Sequence, residues 1–348
     1  MWAWGSNWGG QLGNGTTIDL TFPVRAGASS SWVRVAADGF HACAIRKSGA
    51  LWCWGNNNSG QLGDGTTTER HSPTRIGGST AWADVATERS RTCATRTSGA
   101  LWCWGRNDNG GIGDGTTTER HSPTRIGGST AWVHVATGGD HTCATRKSGA
   151  LWCWGANTDG QLGDGTTTDR HSPVRIGGST SWVGVSAGGY HTCATRKSGA
   201  LWCWGYNDSG QVGDGTTTDR HSPVQVGGST SWASVAAGQF RHTCATRKSG
   251  TLWCWGDNQD GKVGDGTTIE RHSPVRVGGS THWSEVSTGW DHTCATRTGG
   301  TLWCWGDNED GELGDSTTTE RHSPKRVESS TLWNGLAAGD GFTLALNG

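Results

Sequence analysis

The sequence is short of most residues that fill an ordinary hydrophobic core. Its 348 residues include one methionine, two tyrosines, four phenylalanines and seven prolines, and apolar side chains make up only 32%. No apolar run approaches the roughly 20 residues that a membrane-spanning helix needs, so no membrane span is expected. Nowhere do apolar residues recur with the 3.6-residue period of an amphipathic helix. Basic and acidic residues are interspersed and nearly balanced, 29 against 30. A chain without a basic tract or stripe lacks the electrostatic footprint of a phosphate-backbone binder, and no nucleic-acid partner is expected. A charged-then-apolar targeting segment is also missing at the start, where Met1-Trp2-Ala3-Trp4-Gly5 already reads as folded-domain sequence. An exported protein is expected to have lost that segment from this version.

Glycine, tryptophan and cysteine are abundant instead, at 59, 23 and 12 residues. So much glycine with little charge means either low complexity or many short strands joined by tight turns. The tryptophans argue against disorder, since disordered segments lack aromatic surface to bury. Their spacing decides the fold. Trp-x-Trp-Gly recurs at Trp2, Trp52, Trp102, Trp152, Trp202, Trp253 and Trp303, and a third tryptophan recurs at 32, 82, 132, 182, 232, 283 and 333. The step is 50 residues, with one of 51 caused by an extra residue near Phe240-Arg241. Repeats of this length are the signature of propellers and solenoids.

Residues 101–150 show one unit. Leu101-Trp-Cys-Trp-Gly105 predicts a strand, Asn107 to Pro123 a long loop, and Thr124 to Ile126 a short strand. Ala131-Trp-Val-His-Val135 predicts a third and His141-Thr-Cys-Ala-Thr-Arg146 a fourth. Lys147-Ser-Gly149 then turns the chain into the next copy. Four short strands per unit, repeated radially, predict an all-β, closed seven-bladed propeller forming one domain over 1–348. The chain finishes with Phe342-Thr-Leu-Ala-Leu346-Asn-Gly348, a fourth strand plus turn, and begins with the strand that should follow. One blade is thus expected to be shared by the two termini, which removes an exposed sheet edge.

The run Trp54 to Thr67 (Trp-Gly-x-Asn-x-x-Gly-Gln-Leu-Gly-Asp-Gly-Thr-Thr), followed by Pro73 and by Gly-x-x-His-Thr as in Gly188 to Thr192, resembles the regulator-of-chromosome-condensation repeat. The resemblance covers essentially the whole chain and implies a seven-bladed propeller. It does not imply one activity, because the family includes a nucleotide exchange factor, a plant ultraviolet-B receptor and secreted bacterial β-lactamase inhibitors. The exchange factor's functional insertion is not visible here. Of the receptor's Gly-Trp-Arg-His-Thr segments only Gly289-Trp290-Asp291-His292-Thr293 comes close. In character the chain is nearest the secreted bacterial members.

The cysteines fall ten apart in six pairs: Cys43 with Cys53, Cys93 with Cys103, Cys143 with Cys153, Cys193 with Cys203, Cys244 with Cys254, and Cys294 with Cys304. A turn centred on Ser48 sets residue 43 opposite 53 across one hairpin, within reach of a disulfide. In the seventh blade Leu344 and Ala3 replace both members of the pair, as expected of bonded partners. Zinc held by His-x-Cys and reduced core thiols are the other readings. Against zinc, the second blade has Arg91 for the histidine and keeps both cysteines. Six bridges imply an extracellular or periplasmic location.

The remaining constellations have plain structural readings. Arg-His-Ser-Pro (His71, His121, His171, His221, His272, His322) reads as a loop-to-strand junction, and the Gly-x-x-His histidines as partners for buried backbone groups. Loops such as Asp257-Asn-Gln-Asp260-Gly lack the ligand ladder of a calcium site and read as turns. No metal and no cofactor are expected. Every Ser, His and Asp that might build a catalytic triad recurs with the repeat, so no enzyme is expected.

Departures from the repeat are therefore the informative residues. One variable stretch precedes the fourth strand (Phe40, Arg91, Asp140, Tyr190, Phe240, Arg241, Trp290, Asp291) and another follows Trp-Gly (Arg106, Tyr206, Asp257, Asp307). Antiparallel pairing brings both to the same rim. Exposed aromatics and arginine there predict a protein-binding face. A glycan-binding module, with aromatics stacking on sugar rings, and a self-assembling envelope component are the alternatives. Blade-to-blade divergence favours one extended protein epitope.

Overall fold

Each repeat alone has one apolar sheet and nothing to bury it against; stacking the copies radially solves that. The computed structural model describes residues 1–28, 31–327 and 332–347, so the expected turn at Gly348 lies outside the described residues. Among the described residues, 28 strands form seven four-stranded antiparallel sheets. Blade 1 runs outward from the central channel as Trp32–Asp38, His41–Arg46, Leu51–Gly55 and Arg70–Arg75. Blades 2 to 6 repeat it from Trp82, Trp132, Trp182, Trp232 and Trp283. Blade 7 takes its inner strands, Trp333–Ala338 and Phe342–Asn347, from the end of the chain, and its outer strands, Trp2–Gly5 and Leu20–Arg25, from the beginning. The channel is narrow, about 240 Å³, and lined by small residues such as Val35, Ala86 and Ala136.

The strands Leu101–Gly105 and His141–Arg146 fall where the sequence puts them, and the third predicted strand is observed at Trp132–Thr137. The outermost strand differs. It runs Arg120–Arg125, so Arg-His-Ser-Pro lies inside a strand instead of in the loop before it. Pro123 is accommodated because nothing pairs on the strand's outer side, and the register slips between Arg120 and Thr124.

Within blade 1, Cys43 sits opposite Cys53 and Ile45 opposite Leu51. The six expected disulfides are all present. They join Cys43 to Cys53, Cys93 to Cys103 and Cys143 to Cys153 in blades 1 to 3. Blades 4 to 6 are bridged by Cys193 to Cys203, Cys244 to Cys254 and Cys294 to Cys304. No cysteine among the described residues is free, which leaves none for zinc. Each bridge is buried between blades; that of blade 1 packs on Trp82, Ala94 and Trp104 of blade 2. In blade 7, Ala3 faces Leu344, and both pack against Trp32, Ala44 and Trp54 of blade 1. Six disulfides point to an oxidising compartment. Among the described residues no helix is long and apolar enough to cross a membrane.

The invariant Trp-Gly-x-Asn run explains how neighbouring blades lock. Asn57 accepts from the Leu62 amide (2.9 Å) and donates to the Thr66 and Thr68 carbonyls (3.0 Å each), which moulds the loop. That loop aims the Gln61 carbonyl into blade 2, where Trp104 Nε1 (2.9 Å) and Thr92 Oγ1 (2.7 Å) donate to it. Thr92 has spent its one proton, so His41 Nε2, 2.8 Å away, is the donor in that pair. The histidines thus serve the next blade's threonine hydroxyl, where a backbone partner was expected. Burial pulls His41 down to about 4 and His141 to about 3, so they stay neutral. Gly63 completes the lock: its φ is +79°, and a Cβ there would lie 2.5 Å from Trp104 Nε1.

Two outcomes test this framework. Intact mass of the native protein is expected about 12 Da below that of the reduced form, one hydrogen lost per bridged sulfur. Twelve alkylatable thiols in the denatured, unreduced protein would refute the bridges. Trp204→Ala, which removes a fully buried indole and its bond to the Gln161 carbonyl, is expected to cost about 3–5 kcal/mol in denaturant unfolding.

Candidate functional site

The turn between the two inner strands of each blade opens onto one end of the channel. There the copies stop being copies. The middle position of this turn is Gly39, Arg89, Gly139, Gly189, Gln239, Trp290 and Asp340 around the ring. From blade 3 through blade 7 to blade 1, neighbouring turns are laced by backbone bonds of 3.2–3.4 Å, such as Gly139 N to Gly188 O and Asp340 N to Gly39 O. At blade 2 a side chain takes over.

Arg89 has a φ of +42°, which few side chains tolerate. Its guanidinium donates to the Tyr190 hydroxyl (3.0 Å), lies 3.7 Å from the Asp140 carboxylate, and covers the rings of Tyr190 (5.4 Å) and Trp290 (5.7 Å). One arginine on blade 2 thus reaches blades 3, 4 and 6. Below it Glu88 is fully buried, and burial pushes its carboxyl well above the usual range. The extra residue of the long repeat, Arg241, also has a positive φ, +58°. It pairs with Asp208 (2.9 Å) and stacks over Tyr206 (5.2 Å) and Phe240 (5.0 Å).

These residues enclose two cavities that share Phe240. The first, about 350 Å³, is lined by Asp159, Tyr190, Tyr206, Phe240, Arg241 and Trp290. Its walls are held by the Phe240–Trp290 stack (5.3 Å, 10° between planes) and the edge-on Tyr190–Tyr206 pair (6.1 Å). The second, about 540 Å³, is lined by Phe240, Gln259, Asp260, Asp291, Asp307, Glu309 and Thr318 to Glu320. Beneath it Lys262 is wholly buried, its ammonium on Asp257 (2.5 Å), Asp291 and, at 3.7 Å, Asp260. Burial raises the Asp291 carboxyl even beside that ammonium.

Ten of the twelve rim residues singled out in the sequence are half-buried at this mouth or its margin. Arg91 and Asp257 are not available at the surface. Arg91 is 3% exposed and donates to the Gly138 and His141 carbonyls of blade 3, standing in for the absent histidine as an inter-blade strut. Asp257 is turned inward by Lys262. Phe40 lies apart from the mouth cluster, packed on Trp8 at 4.6 Å, and Arg106 pairs with Asp108 at 2.6 Å. The sequence reasoning missed Arg89, Trp8, Lys262 and Glu312. A signal existed for each: Arg89 stands where three other blades have glycine, Trp8 lies outside the repeating tryptophan positions, and Lys262 and Glu312 stand where Gly-Gln-Leu-Gly has glutamine. Among the described residues no group of three or more His, Cys, Asp or Glu is arranged to hold a metal.

The sequence profile of the RCC1-like domain matches residues 1–345. No curated protein sequence matches the chain. Among solved structures, human WBSCR16 superposes with a TM-score of 0.89 at 21% identity, covering 100% of this chain and 99% of its own. Prp20p of Saccharomyces cerevisiae, described for its binding to Gsp1p and histones, gives 0.89 at 21% identity over 99% of this chain and 90% of its own. The ectodomain of the Physcomitrella patens receptor kinase CR4 is more distant, with a TM-score of 0.56 at 18% identity over 91% of this chain and 71% of its own. At these identities the likeness is one of fold.

Glu312 offers a test of the electrostatics at the mouth. Burial, with Asp307 and Asp310 nearby, raises its carboxyl from 4.5 to about 8. The unfolded glutamate therefore ionises while the folded one still holds its proton, and folding loses stability as pH rises from 4.5 to about 8. Glu312→Gln installs the glutamine that four other blades carry at this position. Its stabilising effect is expected to be near zero below pH 4.5 and to grow to roughly 1–3 kcal/mol above pH 8. Urea unfolding across that range checks it, and a gain independent of pH would refute the assignment.

Proposed function

The chain belongs to the RCC1-like domain family, and on that premise we propose that it is a non-catalytic binding propeller whose laced channel mouth captures one protein partner. Repeated, equal sites would suit a repeated ligand. Here the departures from the repeat converge on one asymmetric surface and touch each other across blades, with Arg89 on Tyr190 and Trp290 as the observation that carries the reading. Half-buried aromatic and arginine side chains, fixed in place before a partner arrives, are what binding hot spots use. The shared fold with Prp20p, which binds Gsp1p and histones, supports protein binding as the use of this scaffold. Six disulfides and the absence of any basic tract support an extracellular or periplasmic setting, as in the secreted bacterial branch of the family. The aromatic cavity is the one feature favouring a glycan instead, since Tyr190, Tyr206 and Trp290 offer flat surfaces beside Asp159 and Arg241.

The test replaces Tyr190, Tyr206, Phe240 and Trp290 together with alanine. Each change is expected to alter stability by no more than about 1 kcal/mol, because the residues lie in loops outside the locked blade interfaces. A pull-down from the native environment is expected to lose its partners with this variant. Equal capture by both proteins would refute the mouth as the binding face, and strong sugar-specific binding on a glycan array would favour the second reading.

A further inference from the structure

The two cavities that share Phe240 differ sharply in charge, and the difference defines what crosses them. The aromatic cavity is lined by four aromatic rings and only two charged side chains, Asp159 and Arg241, the latter also paired with Asp208. In the other, Asp260, Asp291, Asp307, Glu309 and Glu320 face the space, and no cation is among the lining residues. Lys262 lies underneath, closed off from solvent, and with Asp257 included it leaves one ammonium against six carboxylates. Glu320 also meets His322, at 3.0 Å. Such a hollow repels phosphate and anionic sugar, and a neutral sugar gains nothing from its charge. A guest that is both cationic and long enough to reach the aromatic cavity gains from both.

Building on the reading of the mouth as a protein-binding face, we propose that the segment received there is a basic peptide of the partner, anchored in the aromatic cavity by one large apolar side chain. A neighbouring lysine or arginine enters the carboxylate-lined cavity across the Phe240–Trp290 stack. The aromatic walls supply the desolvated anchor, and the uncompensated carboxylates supply direction and steering. The edge of Phe240 serves both cavities, so the two side chains belong to adjacent parts of one chain.

A displayed library of random peptides, selected on the full chain with its disulfides intact, tests this. Enriched sequences are expected to pair Lys or Arg with a nearby Trp, Phe, Leu or Met. Synthetic copies, followed by fluorescence anisotropy, are expected to lose about tenfold or more in affinity to a Phe240→Ala, Trp290→Ala variant. A similar loss is expected with Asp307→Asn, Glu309→Gln and Glu320→Gln combined, which keep the side-chain shapes and leave the partners of Lys262 untouched. Only this second loss is expected to shrink as salt is raised, because salt screens exposed charges. Near-ultraviolet circular dichroism confirms that both variants are folded. Enrichment of acidic or uncharged peptides, enrichment of none, or undiminished binding to the three-carboxylate variant would overturn the proposal. Its failure is separable from that of the mouth as a whole. A native partner lost with the four-aromatic variant, but retained by the three-carboxylate variant, keeps the face and removes the basic segment.

Discussion

A single carbonyl in each blade, that of Gln61 and its equivalents, holds the ring together. It is the acceptor for the next blade's indole in all seven interfaces, at 2.8–2.9 Å. In six of them a threonine hydroxyl shares it. A fully buried tryptophan N–H without a partner would carry a large desolvation penalty, so the indole demands this acceptor. The demand propagates backward through the sequence. Asn57 shapes the loop that presents the carbonyl, Gly63 lets the loop lie against the indole, and in blades 1 to 6 the disulfide fills the space beside it. The repeat is conservative in sequence because one geometric requirement is met seven times.

Since the carbonyl is backbone, the side chain that bears it is free to change. Glutamine occupies the position at 11, 61, 161 and 211, but glycine, lysine and glutamate stand at 111, 262 and 312 with the same bond intact. The turns at the channel mouth have the same freedom: from blade 3 round to blade 1 their amides and carbonyls lace neighbouring blades, while Gln239, Trp290 and Asp340 vary. Divergence thus collects at one end of the ring without loosening the interfaces. Its charges belong to different blades, Arg89 and Arg106 to blade 2 and Asp291, Asp307 and Glu309 to blade 6.

How much of this the sequence reveals depends on the range of the interaction. Strand positions, the opposition of Cys43 to Cys53 and the blade shared by the termini follow from spacing within a single repeat. The outermost strand escaped because Pro123 and its polar neighbours look like a loop unless the unpaired outer side of the sheet is known. Arg91 and Asp257 looked like rim residues because variation marked them, yet burial depends on the adjacent blade, which supplies the carbonyls for one, and on Lys262 for the other. Arg89 is the extreme case. Its partner Tyr190 lies 101 residues away, and only closure of the ring brings them together.

The blade built from both ends has a consequence for how the molecule forms. Trp2 pairs with Ala345, so nearly the whole chain separates two neighbouring residues of one sheet. Blades 1 to 6 are hairpin-rich and local, and each can assemble on the one before it, as in other quasi-linear arrays. The first strands have no such opportunity. On the ribosome they can pair only with each other until the last strand emerges, and their tryptophans lack the rest of the blade meanwhile. Closure is a contact of very high order whose loop entropy is offset only when every intermediate blade is in place. The slow step is thus set by topology, and the nascent protein is most vulnerable to misassociation while its opening hairpin waits for its closing one.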